Sequence, residues 1–140
     1  MTRILITGKD SYIGKCFLSH VSESPDFLVE ELDVQKDTWK SHDFSQYDVI
    51  FHVAAIVHLA NPSSEMASVY QRVNTQLPFE LAQKAKKEGV SQFIFMSSMS
   101  VYGEIKGPGV ITRDTIPAPQ SMYGKSKLLA EQLLTELSSP

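Results

Sequence analysis

The sequence is poor in sulfur chemistry and in concentrated positive charge. A single cysteine, Cys16, stands in 140 residues, so no internal disulfide can form. Its place in an apolar-periodic stretch predicts a buried small hydrophobe rather than a nucleophile. Thirteen Lys and Arg against 16 Asp and Glu leave a net charge of −3 without a basic cluster. That argues against a nucleic-acid or anionic-membrane partner, because either needs a dense positive patch. No apolar run reaches membrane-spanning length, and Met1-Thr-Arg leads into a strand-like run rather than a signal-peptide core; a cytoplasmic protein is expected. His20, His42, His52 and His58 show no ligand spacing with one another or with Cys16, so no metal is assigned. What remains is a chain with 42% apolar residues and enough length for one domain with a core, over residues 1–140.

The most informative stretch is Arg3-Ile-Leu-Ile-Thr-Gly-Lys-Asp-Ser-Tyr-Ile-Gly14. Ile4, Leu5 and Ile6 form the continuous apolar run of a strand buried on both faces, and Ile13, Phe17 and Val21 then recur at helical spacing. A strand, a tight turn and a helix in this order aim unpaired backbone N–H groups and the positive end of a helix dipole at one spot, which favours a phosphate. Gly8, Ser11 and Gly14 nearly reproduce the dinucleotide-binding fingerprint: a glycine for the turn, one for close approach to pyrophosphate, one for helix–strand packing. Ser replaces the middle glycine, adding bulk together with a hydroxyl able to donate to the same phosphate. A structural turn without ligand is the competing reading.

Further along, Ser24-Pro25-Asp26 breaks the pattern and Phe27-Leu-Val-Glu-Glu-Leu32 reads as a second strand ending at Asp33-Val34. An acid at this point accepts hydrogen bonds from ribose hydroxyls; a solvated loop carboxylate, or the cap of a helix near Lys36 to Lys40, explains Asp33 equally well. Lys9 or Arg3 would suit a 2′-phosphate, so NAD is preferred and NADP stays open. Asp48-Val-Ile-Phe-His-Val-Ala-Ala55 reads as a third buried strand, with Ala54 and Ala55 small enough to let a flat ring or ribose approach the backbone. His52 within it is expected to be a satisfied interior residue.

After the Asn61-Pro-Ser-Ser loop, Val69, Val73, Leu77, Leu81 and Ala85 repeat every four residues up to Gly89, a helix stop. Pro78 interrupts them and frees the carbonyl of Asn74, which could hold an ordered water; a plain kink, or two abutting helices, is the alternative. Gln92-Phe-Ile-Phe-Met-Ser-Ser98 is a fourth strand ending in hydroxyls, at the end where parallel sheets bind ligands. Residues 104–120, with Gly107, Pro108, Gly109, Pro117 and Pro119, are too long for a mere connection and are expected to cover a site. The last helix places Tyr123, Lys127, Ala130 and Leu134 on one inward stripe. A buried ammonium needs partners, which a phenol one turn away and an anionic cofactor would supply; a Lys snorkelling from a helix edge is the alternative.

Together these stretches resemble the extended short-chain dehydrogenase/reductase family, in particular its nucleotide-sugar epimerases and dehydratases. The likeness is carried by Thr7-Gly8 to Ile13-Gly14, Asp48 to Ala55, Val73-Asn74, Gly89-Val90, Ser97-Ser98 to Val101-Tyr102-Gly103, and Tyr123-Gly-Lys-Ser-Lys127 with Ala130-Glu131. It implies a doubly wound, mainly parallel, Rossmann-like α/β sheet with helices on both faces. It also implies Ser98, Tyr123 and Lys127 as catalytic residues, with Gly8, Ser11, Tyr12, Ile13, Gly14, Asp33, Val34, Ala54, Ala55, Asn74 and Lys127 at the cofactor.

On that likeness Lys127 and a positive nicotinamide favour the Tyr123 phenolate, which takes a hydroxyl proton while hydride leaves the same sugar carbon, and Ser98 holds the oxygen. The activity implied first is NAD-dependent 4-epimerisation of UDP-glucose and UDP-galactose by a homo-oligomer. A nucleotide-sugar dehydratase or reductase is the nearest alternative, although Met99-Ser100 offers no acid or base beside Ser98. A non-catalytic dinucleotide-binding sensor or scaffold is the alternative from another class. The sequence departs from the family in having room for only about one element between the second strand and Asp48, so Asp33-Val34 matches either the family's ribose acid or its adenine-contacting Asp-hydrophobic pair. It also lacks, after Pro140, the region that grips the sugar nucleotide, so the 140-residue chain alone is expected to be inactive.

Overall fold

The computed structural model describes residues 1–57, 66–103 and 109–138, so His58, the Asn61-Pro-Ser-Ser loop and residues 104–108 of the proposed cover lie outside the described residues. The chain divides into two compact units, Met1–Ala55 with Glu80–Met96, and Ile56–Phe79 with Ser97–Pro140.

In the first unit, β1 (Thr2–Thr7), β2 (Phe27–Leu32), β3 (Val49–His52) and β4 (Gln92–Phe95) form a four-stranded sheet in the order β2-β1-β3-β4. Every pairing is parallel, with Ile4 opposite both Val29 and Val49. The apolar runs explain the burial. Ile4, Ile6, Phe51 and Val53 make a cluster against which Phe17 and Leu18 of α1 (Tyr12–Val21) pack, while the alternate residues Leu5 and Ile50 are 1% and 0% exposed. Both faces are therefore covered, and each such side chain contributes about 1.5–3 kcal/mol. Parallel strands flanked by helices make the fold Rossmann-like.

β3 and β4 are shorter than the apolar runs that contain them. Past His52 the chain leaves the ladder, and the N–H groups of Val53 and Ala54 both turn onto the Thr7 carbonyl at 3.0 Å. His52 is fully buried, with Nδ1 2.7 Å from the Thr7 hydroxyl and its ring stacked near Phe93 and Phe95, an interior residue as expected. Between β2 and β3 there is one short 3-10 turn, Asp37–Ser41, which buries Trp39. One expectation for α1 is corrected: Cys16 is exposed rather than buried. Ile13 is 41% exposed. The helix turns Gly14, Phe17, Leu18 and Val21 inward, and Cys16 falls about 200° around the axis from Gly14.

α3 (Leu77–Lys87) supplies the buried Leu81, Ala82 and Ala85 and ends at Gly89, where Val90 N–H donates to the Ala85 carbonyl and Gly89 N–H to that of Lys86.

The second unit holds α2 (Met66–Tyr70), a wider helical turn over Gln71–Gln76, a short 3-10 turn over Met99–Tyr102 and α4 (Met122–Ser138). The effect of Pro78 is now explicit. With no N–H to give, Pro78 cannot bond the Asn74 carbonyl, and the turn before it relaxes into π geometry, Leu77 N–H reaching the Arg72 carbonyl five residues back. Asn74 is wholly buried, so the expected open carbonyl with an ordered water gives way to a structural tie. Its amide oxygen accepts from Ile56 N–H and its amide nitrogen donates to the Ile56 carbonyl, both at 2.9 Å. That nitrogen also reaches the Ser126 hydroxyl at 3.2 Å, and the Thr75 hydroxyl donates to the Ser126 carbonyl at 2.8 Å, fixing α4 against the π turn.

Candidate functional site

In the first unit the strand order reverses between β1 and β3, and in open parallel sheets the crevice beyond the carboxyl ends of such strands is where ligands bind. Gly8 follows β1 at this point with φ +127°. A Cβ there would stand 2.7 Å from the Ala54 nitrogen, so only a bare backbone fits between the two strand ends. The turn is anchored from the other side as well, because the N–H groups of Gly8 and Lys9 both donate to the Leu32 carbonyl, at 3.0 and 3.2 Å. Asp33, the next residue, is thereby held beside the glycine turn.

Ser11 caps α1. Its hydroxyl oxygen accepts from Gly14 N–H at 3.1 Å, which leaves the hydroxyl proton to donate elsewhere. A Cβ on Gly14 would lie 2.7 Å from that oxygen and 3.2 Å from Ile6 Cγ2, which gives Gly14 the packing role expected of it. Tyr12 and Ile13 belong to the first turn of a ten-residue helix, where backbone N–H groups lack intrahelical partners. The turn is not purely cationic. Asp10 sits at φ +64° and pairs with Lys15 at 2.9 Å, which holds its carboxyl below the usual range.

Other cofactor candidates in this unit vary in accessibility. Asp33 is exposed, and its Oδ1 accepts from Gln35 N–H at 2.9 Å. One oxygen is thus used in a local turn of an exposed loop carboxylate, and Asp33 does not cap the 3-10 turn, whose N-cap is Lys36; among the described residues Oδ2 has no hydrogen bond. Val34 is buried, and Ala54 and Ala55 are half-buried. A bare-backbone cradle, a helix N-terminus and a carboxylate after β2 are what the pyrophosphate and ribose of a dinucleotide require, so these residues fit that group.

The second unit holds Ser98, Tyr123 and Lys127, the last two on α4, which packs against the 3-10 turn that Ser98 caps. Ser98 caps the 3-10 turn, accepting from Ser100 N–H at 3.1 Å. Tyr123 lies in the first turn of α4, half-buried, with its ring 6.4 Å from that of Tyr70, whose hydroxyl donates to the Val57 carbonyl. Lys127, one turn further, is only 2% exposed, as the inward stripe predicts. Burial pushes its ammonium down to about 8, against the upward pull of the Glu131 carboxylate. Sequence reading missed Ser126 and the pairing of Ser97 with Glu131. Ser126 carried a signal in its place on the buried side of α4; the Ser97–Glu131 pair carried none, because it joins residues 34 apart in sequence.

A family model described as the NAD dependent epimerase/dehydratase family matches residues 4–139. Among curated proteins, UDP-glucose 4-epimerase of Vibrio cholerae is 34% identical over 137 residues, covering 95% of this chain and 42% of its own. Among solved structures, the UDP-Glc/GlcNAc 4-epimerase of Campylobacter jejuni superposes with a TM-score of 0.81 at 27% identity, over 99% of this chain and 49% of the other. MoeE5 in complex with UDP-glucose and NAD gives a TM-score of 0.81 at 26% identity, over 99% of this chain and 50% of the other. The chain therefore spans about half the length of the proteins it matches.

Proposed function

The chain belongs to the NAD dependent epimerase/dehydratase family, and on that premise we propose that it carries the NAD-binding turn and the Ser98, Tyr123 and Lys127 of a UDP-hexose 4-epimerase. The observation that carries this reading is the burial of Lys127 one helical turn from Tyr123. An ammonium in such a place is costly unless it has work to do beside an anionic or phenolic partner.

NAD, when bound, takes up and gives back a hydride. The chain's own residues do the rest. Tyr12 and Ile13 offer backbone N–H groups and Ser11 its hydroxyl to the pyrophosphate, Gly8 and Gly14 leave the room for it, and Asp33 offers a carboxylate oxygen to ribose, which is why NAD is preferred over NADP. Val34, Ala54 and Ala55 are the further cofactor contacts of the first unit, and Asn74, bonded to Ile56, is that of the second. Tyr123 accepts the sugar hydroxyl proton at Oη, Lys127 favours the phenolate that does so, and Ser98 donates to the sugar oxygen and holds it in place. The same three groups return the proton when the ketone has turned over. The relatives' names support the epimerase over the dehydratase reading, since UDP-glucose 4-epimerases recur among them.

The test joins this chain to the C-terminal half of the Vibrio cholerae relative and follows UDP-galactose to UDP-glucose. Turnover is expected, and Tyr123→Phe should lower it by about 10²–10⁴-fold. A dehydrated keto-sugar product would move the assignment to the dehydratases. A folded, NAD-loaded chimera without turnover would contradict the catalytic reading.

A further inference from the structure

Beyond the three proposed reacting residues, one polar contact ties their two elements together. The Ser97 hydroxyl donates to the Glu131 carboxylate. Ser97 directly precedes Ser98, and Glu131 stands one turn beyond Lys127 on α4, the helix that also carries Tyr123. Both partners are half-buried, and the bond is charge-assisted. We propose that Glu131 is a positioning residue: its carboxylate fastens Ser97 and Ser98 to α4 and serves as the counter-charge of the buried Lys127 ammonium.

The rest of the neighbourhood bears this out. α4 packs against α2, the π turn and the 3-10 turn, which bring the titratable Tyr70, Arg72 and Tyr102; α4 itself adds Tyr123, Lys125 and Glu136. Of these groups and Glu131, it is the Glu131 charge that opposes the burial of Lys127. A buried ammonium keeps its proton only if such a charge is at hand. One residue thus performs two tasks, holding the hydroxyl segment in place by its hydrogen bond and the lysine by its charge. Two variants separate them.

The proposal rests on the reading of Ser98, Tyr123 and Lys127 given above, but its test needs neither NAD nor turnover. The side-chain resonances of Lys127 are titrated by NMR in the isotopically labelled 140-residue chain. The wild-type midpoint is expected near about 8. Glu131→Gln keeps an acceptor for Ser97 but removes the charge, and should move the midpoint down by about 1 pH unit. Ser97→Ala keeps the charge and should leave the midpoint in place, while amide exchange at Ser98 and Ser100 speeds up several-fold. Glu131→Asp, which keeps the charge on a shorter stem, should behave as Ser97→Ala does, and it serves if the Gln variant does not fold.

An unchanged midpoint in Glu131→Gln, or a drop in Glu131→Asp equal to that expected for Gln, would overturn the proposal. So would a wild-type Lys127 that titrates like an exposed lysine. Failure of NAD to bind a chain that shows the expected shifts would instead count against the proposed function alone.

Discussion

A Cβ on Gly124 would stand 2.4 Å from the carbonyl oxygen of Ser100 and 3.0 Å from Pro119 Cβ. The start of α4 and the 3-10 turn capped by Ser98 are therefore in backbone contact, and the residue beside Tyr123 must be glycine for them to meet. Gly124→Ala should destabilise the chain by about 1–3 kcal/mol through overpacking. It should also shift the amide resonances of Ser98 and Ser100 more than those of β1. Denaturant melts and a chemical-shift map check both, and a variant of wild-type stability with unmoved Ser98 signals would show that the contact is slack.

Asn74 replaces two absent backbone partners of Ile56. Removing the amide in Asn74→Ala leaves the part-buried N–H and carbonyl of Ile56 without these partners, at about 1–3 kcal/mol in all. Asn74→Asp is the informative companion, because a carboxylate accepts from Ile56 N–H but cannot donate to its carbonyl or to the Ser126 hydroxyl. Equilibrium unfolding should rank wild type above both variants; equal stabilities would refute the tie.

Lys127 should make stability depend on pH in a defined direction. Its folded value is about 8 against 10.5 for the free group, so between these values the unfolded chain binds the extra proton and stability rises with pH. The gain is complete above about 10.5 and is lost as pH falls through 8. The gap corresponds to about 3 kcal/mol. Lys127→Met lacks this slope and should be the more stable protein at pH 7, although it loses the proposed chemistry. The check is the difference between wild-type and Lys127→Met unfolding energies at pH 7, 9 and 10.5; a constant difference would mean that Lys127 does not lose solvation on folding.

Much of this was legible in the chain because it depends on local pattern. β2 spans the run Phe27-Leu-Val-Glu-Glu-Leu32 that its turn-bounded apolar character picks out, Gly89 ends α3, and Lys127 lies on the buried stripe that its spacing from Ala130 indicates. The failures also have physical causes. Helical spacing assigns Ile13 and Cys16 to an apolar helix but not the narrow face that packs, which the close approach of Gly14 to Ile6 selects. Pro78 announces a missing hydrogen bond, yet whether the helix breaks, kinks or widens depends on what Asn74 and Thr75 find to bond, and those partners, Ile56 and Ser126, are remote in sequence. The Ser97–Glu131 contact is hidden for the same reason.

The central claim is that the turn between β1 and α1 holds a dinucleotide, and it is tested most directly by calorimetry of the chain with NAD and with NADP, in wild type and in Gly8→Val. A β-branched side chain resists φ +127° and would collide with the Ala54 nitrogen, so the variant should lose NAD binding by at least about tenfold. Wild type should bind NAD more tightly than NADP, whose 2′-phosphate would face Asp33. Circular dichroism establishes that the variant remains folded. Equal affinities of folded wild type and Gly8→Val for NAD, or no heat from either, would contradict the account.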